Sequence, residues 1–269
     1  MNIGFIGCGN MGEAILKGLL ESNVVDASQI LIHTKTEQRS HELKTRYHIK
    51  TLESNYIVAK CADILFLATK PDVYEVVINE IKDVLDKSKT LISITPSYTL
   101  KTLASLVDHK ANVIRTIPNT PSLIGYGMTG ISHEDTIDEH TLNLIIKLFS
   151  SFGEVMIVNE DKLPILSSLS GSSPAFIYLF MKAFVDYGTL NGFTLEESIT
   201  LVSKTMIGAS QMVSTQNLPI DTLINNVCSK GGSTTEGVNS LKGNQLESIV
   251  QEALDKTTKR FLEMIDEKN

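Results

Sequence analysis

Ile3-Gly4-Phe5-Ile6-Gly7-Cys8-Gly9-Asn10-Met11-Gly12 reads as a short apolar strand running straight into Gly-x-Gly-x-x-Gly. Glu13-Ala14-Ile15-Leu16-Lys17-Gly18-Leu19-Leu20 carries on at helical spacing. The glycine pattern alone is short and common; a strand before it and a helix after it make it specific. Gly7 permits the tight turn, Gly9 lets a pyrophosphate approach the backbone, and Gly12 lets helix and strand pack closely. The free N–H groups and positive dipole end of the helix then hold phosphates. This is a dinucleotide-binding start.

The end of the second strand decides which dinucleotide. Gln29-Ile30-Leu31-Ile32-His33 lies about twenty residues past the glycines, where an NAD enzyme usually places an acidic residue on the ribose hydroxyls. Here the chain offers Thr34-Lys35-Thr36. A carboxylate would repel a 2′-phosphate, whereas a cation flanked by two hydroxyls suits it. Glu37 follows, but is expected to point away on the next helix. The cofactor expected is NADP(H), with NAD(H) as the alternative.

A chain of 269 residues can bury one large core or two moderate ones. Its net charge of −7 and lack of a long Lys/Arg run argue against a nucleic-acid or anionic-membrane surface. No apolar stretch is expected to reach bilayer-spanning length. The opening strand carries no charged leader, so no signal peptide is expected. Cys8, Cys61 and Cys228 are odd in number and scattered. That pattern predicts a reducing cytoplasm, no disulfide and no metal site.

The first half alternates strands with helices. A polar helix runs from Glu37 to about Tyr47, a short strand lies near Ile49-Lys50-Thr51, and a helix begins near Ser54-Asn55. Asp63-Ile64-Leu65-Phe66-Leu67-Ala68 is an unbroken apolar run typical of a buried parallel strand. Thr69-Lys70-Pro71 ends it. Thr90–Ile94, Asn112–Thr116 and Glu154–Val158 complete the strand set. Beyond about Glu160 the pattern is helical almost throughout. The fold class is therefore α/β, an N-terminal doubly wound Rossmann-type sheet plus an all-α C-terminal domain. The expected division is 1–160 for NADP binding and 161–269 for substrate binding and dimerisation.

Two segments of the helical half exceed what a simple bundle needs. Leu169-Ser170-Gly171-Ser172-Ser173-Pro174-Ala175 leads into the apolar run Phe176–Met181, and a Ser cap with Pro in the first turn would start that helix well. Cys228-Ser229-Lys230-Gly231-Gly232-Ser233-Thr234-Thr235-Glu236 exposes backbone N–H groups at a helix start, able to grip a carboxylate.

Taken together, these motifs resemble the pyrroline-5-carboxylate reductases over essentially the full length. The resemblance rests on Gly7-x-Gly9-Asn10-Met11-Gly12, Lys70-Pro71, Arg115-Thr116-Ile117-Pro118-Asn119-Thr120-Pro121 with Gly125-x-Gly127, Ser170–Phe176, and Ser229–Thr234. It implies NAD(P)H-dependent reduction of the cyclic imine Δ1-pyrroline-5-carboxylate to L-proline. It also implies an active site at the interface of a homodimer formed by the C-terminal helices, with a decamer as a further assembly. In the resemblance, Ser229 and the backbone around Gly231, Gly232, Ser233 and Thr234 hold the substrate carboxylate, and the Thr234 hydroxyl reaches the ring nitrogen. Asn10 and Met11 line the cofactor, and Thr34, Lys35 and Asn55 surround its adenosine end. Ala68, Thr69, Lys70 and Pro71 pass under the nicotinamide ribose, with Asn119 nearby.

Three positions depart from the common family pattern. Thr95-Pro96-Ser97 replaces a small, flexible Ala-Ala-Gly turn with a stiffer one, and in this the chain resembles a reductase-like homologue of bacterial competence operons. Lys230 stands where many members have Pro, and Ser233 where Thr or Ala is common. The alternatives are another NADP oxidoreductase of the same architecture (β-hydroxyacid dehydrogenase or F420-dependent NADP reductase type) and a non-catalytic NADP-binding homologue. The hydroxyacid enzymes carry a Lys about two turns into the helix after their Gly-rich motif. Here the first Lys is Lys182, several residues late.

Overall fold

The computed structural model describes residues 1–268. Among them, eight strands form one sheet: β1 (Ile3–Ile6), β2 (Ile30–His33), β3 (Lys50–Thr51), β4 (Ile64–Leu67), β5 (Thr90–Ser93), β6 (Asn112–Ile117), β7 (Gly127–His133) and β8 (Gly153–Ile157). The helices are α1 (Asn10–Glu21), α2 (Glu37–Tyr47), α3 (Asn55–Cys61), α4 (Tyr74–Ile81), α5 (Leu100–Leu106), α6 (Glu139–Ser150), α7 (Leu163–Leu166) and α8 (Ser173–Leu190). They continue with α9 (Leu195–Thr215), α10 (Ile220–Val227), α11 (Ser233–Gly243) and α12 (Leu246–Asp266).

The strand order is β3-β2-β1-β4-β5-β6-β7-β8. Strands β1 to β6 run parallel, and β1 pairs with both β2 and β4, so Ile3 faces Ile30 on one side and Ile64 on the other. The order reverses between β1 and β4, which opens a crevice beyond their carboxyl ends. The loops after β1, β2 and β4 therefore share one edge, and they carry Gly7–Gly12, Thr34–Thr36 and Ala68–Pro71.

Alternation along the strands divides the core between two faces. On one side Phe5, Ile32 and Phe66 pack with Ile15, Leu19 and Phe149, and the Phe5 and Phe66 rings stack at 4.8 Å. On the other, Ile6, Leu65 and Leu67 pack with Val58, Tyr74, Ile78 and Leu103. Helix α1 lies close because residue 18 is glycine: a Cβ there would sit 2.4 Å from the Phe152 Cβ.

Strand β7 is an addition to the expected set, and it pairs antiparallel with β6, Thr116 opposite Ile131. Its sequence, Gly-Met-Thr-Gly-Ile-Ser-His, lacks the apolar density that marks the other strands. Gly130 makes room for α7, since a Cβ there would meet the Leu166 side chain at 2.6 Å.

The compact units divide differently from 1–160 and 161–269. One comprises Met1–Pro174 with the C-terminal stretch from Thr257; the other is Ala175–Lys256. The cause is a third apolar cluster, in which Ile117, Leu163 and Leu166 bury Phe261 of α12. The Ser168 and Thr258 hydroxyls also pair at 2.7 Å.

The second unit consists of helices and contributes no residue to any of the three buried apolar clusters. Tyr178, Leu179, Tyr187 and Leu190 are each at least 60% exposed. The expectation that no segment matches bilayer length needs correction. The helical run Glu160–Leu190 is long and apolar enough to cross a membrane by length and composition. Reading a helix start at Ser172-Ser173-Pro174 concealed this continuity. In fact Ser167–Ser172 winds as a π-helix and leads straight into α8. Pro174 has no N–H to donate to the preceding turn, and the Ser170 carbonyl instead accepts from Asn119 Nδ2 at 3.1 Å.

Gly18→Ala should destabilise the protein by about 1–3 kcal/mol, the cost of overpacking a filled contact. Urea unfolding checks this: a midpoint equal to that of the unaltered chain would show that α1 and Phe152 separate without cost.

Candidate active site

The turn after β1 is built so that backbone, not side chain, faces the crevice. Gly7 has φ +74, and a Cβ there would meet Thr69 Cγ2 at 2.6 Å and the Ala68 carbonyl oxygen at 2.9 Å. The Gly7 N–H donates to the His33 carbonyl at 2.8 Å, fastening the turn to β2. A Cβ at Gly12 would lie 2.9 Å from the Ala68 Cβ. Gly9, by contrast, is exposed and has open space beside its Cα. It is also the N-cap of α1 and supplies no side-chain cap, so the first N–H groups of the helix are left for an anion. Among the described residues, the buried Thr69 hydroxyl has no partner in the same cradle. Open backbone, uncapped helix and orphaned hydroxyl fit a dinucleotide. Cys8 is inert filling here, its thiol pushed up to about 12 by burial.

At the adenosine end the structure redistributes the expected roles. The Thr34 hydroxyl is buried, donating to the Thr36 carbonyl at 3.0 Å and pairing with Ser40 Oγ at 2.8 Å. Thr36 caps α2 by accepting from the Arg39 N–H. Both hydroxyls shape the loop, and Lys35 is left exposed on it. Asn55 opens α3 and donates from Nδ2 to Glu80 at 2.7 Å.

The loops after β4 and β5 are fastened to each other. Tyr74, stacked on Tyr98 at 5.3 Å, donates its hydroxyl to the Leu67 carbonyl at 2.6 Å. Tyr98 donates to the Pro71 carbonyl at 3.3 Å, which supports Ala68, Thr69, Lys70 and Pro71 from below. Thr95-Pro96-Ser97 is anchored by Arg115, which is 1% exposed. Arg115 donates to the Pro96 carbonyl at 2.8 Å and to Glu160 at 2.5 Å. Glu160 also accepts the Leu100 N–H at 2.6 Å. Burial lowers the Arg115 pKa and the Glu160 carboxylate opposes that shift. The stiff turn is thus held by a buried guanidinium that sequence spacing did not single out as a partner for it.

Asn119 is also spent on structure. Its Oδ1 accepts the Met128 N–H at 2.9 Å while Nδ2 donates to Ser170, and Lys17 Nζ donates to Leu123 in the same loop at 3.2 Å. Asn119 therefore joins the loop after β6, the start of β7 and the π-helical turn.

In the second unit, Ser229, Gly231, Gly232, Ser233 and Thr234 gather at the start of α11. Gly231 has φ +73, a value that favours glycine. The Gly232 N–H donates to the Ser229 carbonyl at 2.9 Å. A Cβ on Gly232 would fall 2.3 Å from Ser229 Oγ, so the serine hydroxyl lies beside the helix entrance. The N-cap is Gly232, without a side-chain cap. The Thr235 hydroxyl donates back to Ser229 at 2.7 Å, whereas the Thr234 hydroxyl has no partner among the described residues. Thr234 is not a cap, and the uncapped N–H groups with two hydroxyls suit a carboxylate.

Gly9→Ala should leave stability unchanged, since a methyl there meets nothing, yet weaken NADP+ and NAD+ alike by about tenfold or more by blocking pyrophosphate approach. Calorimetric titration beside a melting curve checks this, and unchanged affinity for both nucleotides would contradict the assignment.

Comparison with known proteins gives a consistent result. Residues 160–264 match the family model for pyrroline-5-carboxylate reductase dimerisation, and residues 2–97 that for coenzyme F420-dependent NADP oxidoreductases. The pyrroline-5-carboxylate reductase of Escherichia coli K12 is 35% identical over 254 residues, 94% of each chain. The solved Plasmodium falciparum pyrroline carboxylate reductase, crystallised with NADP bound, superposes with a TM-score of 0.91 at 29% identity, covering 98% of each chain. The Coxiella burnetii pyrroline-5-carboxylate reductase gives 0.88 at 30% identity over 98% of each chain. The F420-type match covers residues 2–97 alone, whereas the reductases just named span nearly the whole chain. The chain belongs to the pyrroline-5-carboxylate reductase family.

Proposed function

We infer that this protein reduces Δ1-pyrroline-5-carboxylate to L-proline, the last step of proline biosynthesis, with NADPH preferred over NADH. The observation that carries this reading is the entrance to α11. There an uncapped helix, the Ser229 hydroxyl and an unpartnered Thr234 hydroxyl lie together in a chain related to reductases along nearly its whole length.

A protonated cyclic imine is already electrophilic, so the reaction needs orientation more than acid catalysis. The N–H groups of Gly231, Ser233 and Thr234, with the Ser229 hydroxyl, hold the substrate carboxylate, while Gly232, its own N–H bonded to the Ser229 carbonyl, leaves room for it at the turn. The Thr234 hydroxyl oxygen accepts a hydrogen bond from the protonated ring nitrogen. A reduced nicotinamide, when bound, would provide the hydride that the imine carbon accepts as the C=N π pair passes to nitrogen, giving the secondary amine. Gly7, Gly9, Asn10, Met11 and Gly12 carry the pyrophosphate. Ala68, Thr69, Lys70 and Pro71 support the nicotinamide ribose, the Thr69 hydroxyl gaining the partner it lacks. Asn119 fixes the loop beside them. Thr34, Lys35 and Asn55 surround the adenosine, with Lys35 as the cation for the 2′-phosphate. The working form is a homodimer through the C-terminal helices, in the cytoplasm, with assembly of dimers into a decamer as its extension. The exposed face of Glu160–Leu190 belongs to that pairing rather than to a bilayer.

Oxidation of NADPH by the purified protein with authentic pyrroline-5-carboxylate tests the reading, and absence of turnover would overturn it. Thr234→Ala should lower kcat/KM by about 1–3 kcal/mol in transition-state stabilisation. Its melting temperature should stay unchanged, because the hydroxyl caps nothing. A lowered melting temperature with kcat/KM intact would contradict the assignment. Lys35→Asp should weaken NADPH far more than NADH through loss of a charge-assisted contact and added repulsion; equal weakening in steady-state kinetics would remove Lys35 from 2′-phosphate recognition.

A further inference from the structure

The glycine turn has a neighbour that its motif does not encode. Arg39, in the first turns of α2, donates from both Nε and Nη2 to the Cys8 carbonyl at 3.3 Å. Its Nη2 also pairs with Glu13 Oε2, and its Nη1 with Glu42 at 3.0 Å. The other Glu13 oxygen accepts from Arg46 at 2.7 Å and from the Tyr47 hydroxyl at 2.8 Å. Glu13 belongs to the first turn of α1, its N–H donating to the Gly9 carbonyl at 2.9 Å.

Two consequences follow. A trans peptide points its C=O and N–H in opposite directions. Arg39 holds the Cys8 carbonyl, so the Gly9 N–H is turned away from Arg39. A carboxylate in the first turn of a helix also competes electrostatically with any anion bound at that terminus. Burial pushes the Glu13 carboxyl up, but hydrogen bonds from Arg39 and Tyr47 and the Arg39 charge outweigh it and hold the group below its ordinary value. Glu13 is therefore ionised at neutral pH, and its charge has to be matched locally. Arg39 and Arg46 set two positive charges against Glu13 and Glu42.

We propose that Arg39 is a positioning residue for the dinucleotide pyrophosphate, fixing the Cys8–Gly9 peptide and cancelling the Glu13 charge without itself touching the 2′-phosphate. The proposal rests on Gly7–Gly12 being the dinucleotide turn, and charge cancellation is the larger of its two parts. Pyrophosphate is common to both nucleotides, so loss of Arg39 must weaken them equally, unlike loss of Lys35.

Calorimetric titration of the folded protein with NADP+ and with NAD+ tests this without needing turnover. Arg39→Met should weaken both by the same factor, about tenfold. Adding Glu13→Gln to that variant should return both affinities to within about threefold of the unaltered protein, because the unmatched carboxylate is gone. Should Arg39→Met melt early, Arg39→Lys, which keeps the charge, carries the same comparison with a smaller loss shared by both nucleotides. Unchanged affinity, a loss confined to NADP+, or a double variant as weak as Arg39→Met would each overturn the proposal. Shared losses in a protein that fails to turn over pyrroline-5-carboxylate would uphold it and remove only the reductase reading.

Discussion

The segment Ala175–Lys256 cannot bury its own apolar residues. Its helices are well specified one by one; α9, for instance, opens with Thr194 and Glu197 in a reciprocal capping box. Yet residues such as Tyr178, Leu179, Tyr187, Leu190 and Leu195 remain largely exposed, and no buried cluster forms among these helices. At roughly 25 cal/mol per Å2 of apolar surface, that exposure forfeits the term that normally offsets the entropy of ordering a chain. Pairing of two chains resolves the deficit, in keeping with the match of residues 160–264 to a dimerisation family. The entrance to α11, with Ser229 and Thr234, is carried by this same partner-dependent unit. Self-association and substrate binding are thereby linked.

The first unit meets the opposite condition, since its central strands β1, β4 and β5 are buried along their whole length. Three polar ties secure the ends of its strands: Arg39 to the Cys8 carbonyl, Tyr98 to the Pro71 carbonyl, and Arg115 to the Pro96 carbonyl. Each uses a long side chain to fix a backbone carbonyl in a loop that follows a strand. Glu160 completes the last tie and stands at the head of the helical run toward Leu190. Replacing a small Ala-Ala-Gly turn by Thr95-Pro96-Ser97 is compatible with this architecture because Arg115 grips the proline carbonyl, which any residue would supply.

Much of this was legible in the residues. The parallel strands are short apolar runs, and β1 with its glycines specifies both the crevice and its ligand class. Strand β7 escaped because its pairing depends on β6 rather than on its own hydrophobicity. The π-helical turn escaped because Ser-Ser-Pro is locally a good helix start; only the donation from Asn119 Nδ2, distant in sequence, to the Ser170 carbonyl shows that the helix passes through. Motifs also assign residues more than they assign atoms. Thr34 and Asn119 stand where the family pattern puts them, but their polar atoms are engaged within the protein. The Thr234 hydroxyl is left without a partner. Arg39 and Glu13 carried no recognisable spacing, since their meeting is set by how α1 and α2 pack.

On the proposed function, the entrance to α11 takes substrate only in a self-associated chain. The direct measurement is the specific rate of NADPH oxidation with pyrroline-5-carboxylate, recorded over a dilution series beside sedimentation velocity. Activity per chain should fall in step with loss of the dimer and return on reconcentration. A sedimenting monomer with undiminished activity would show that the α11 entrance works without self-association.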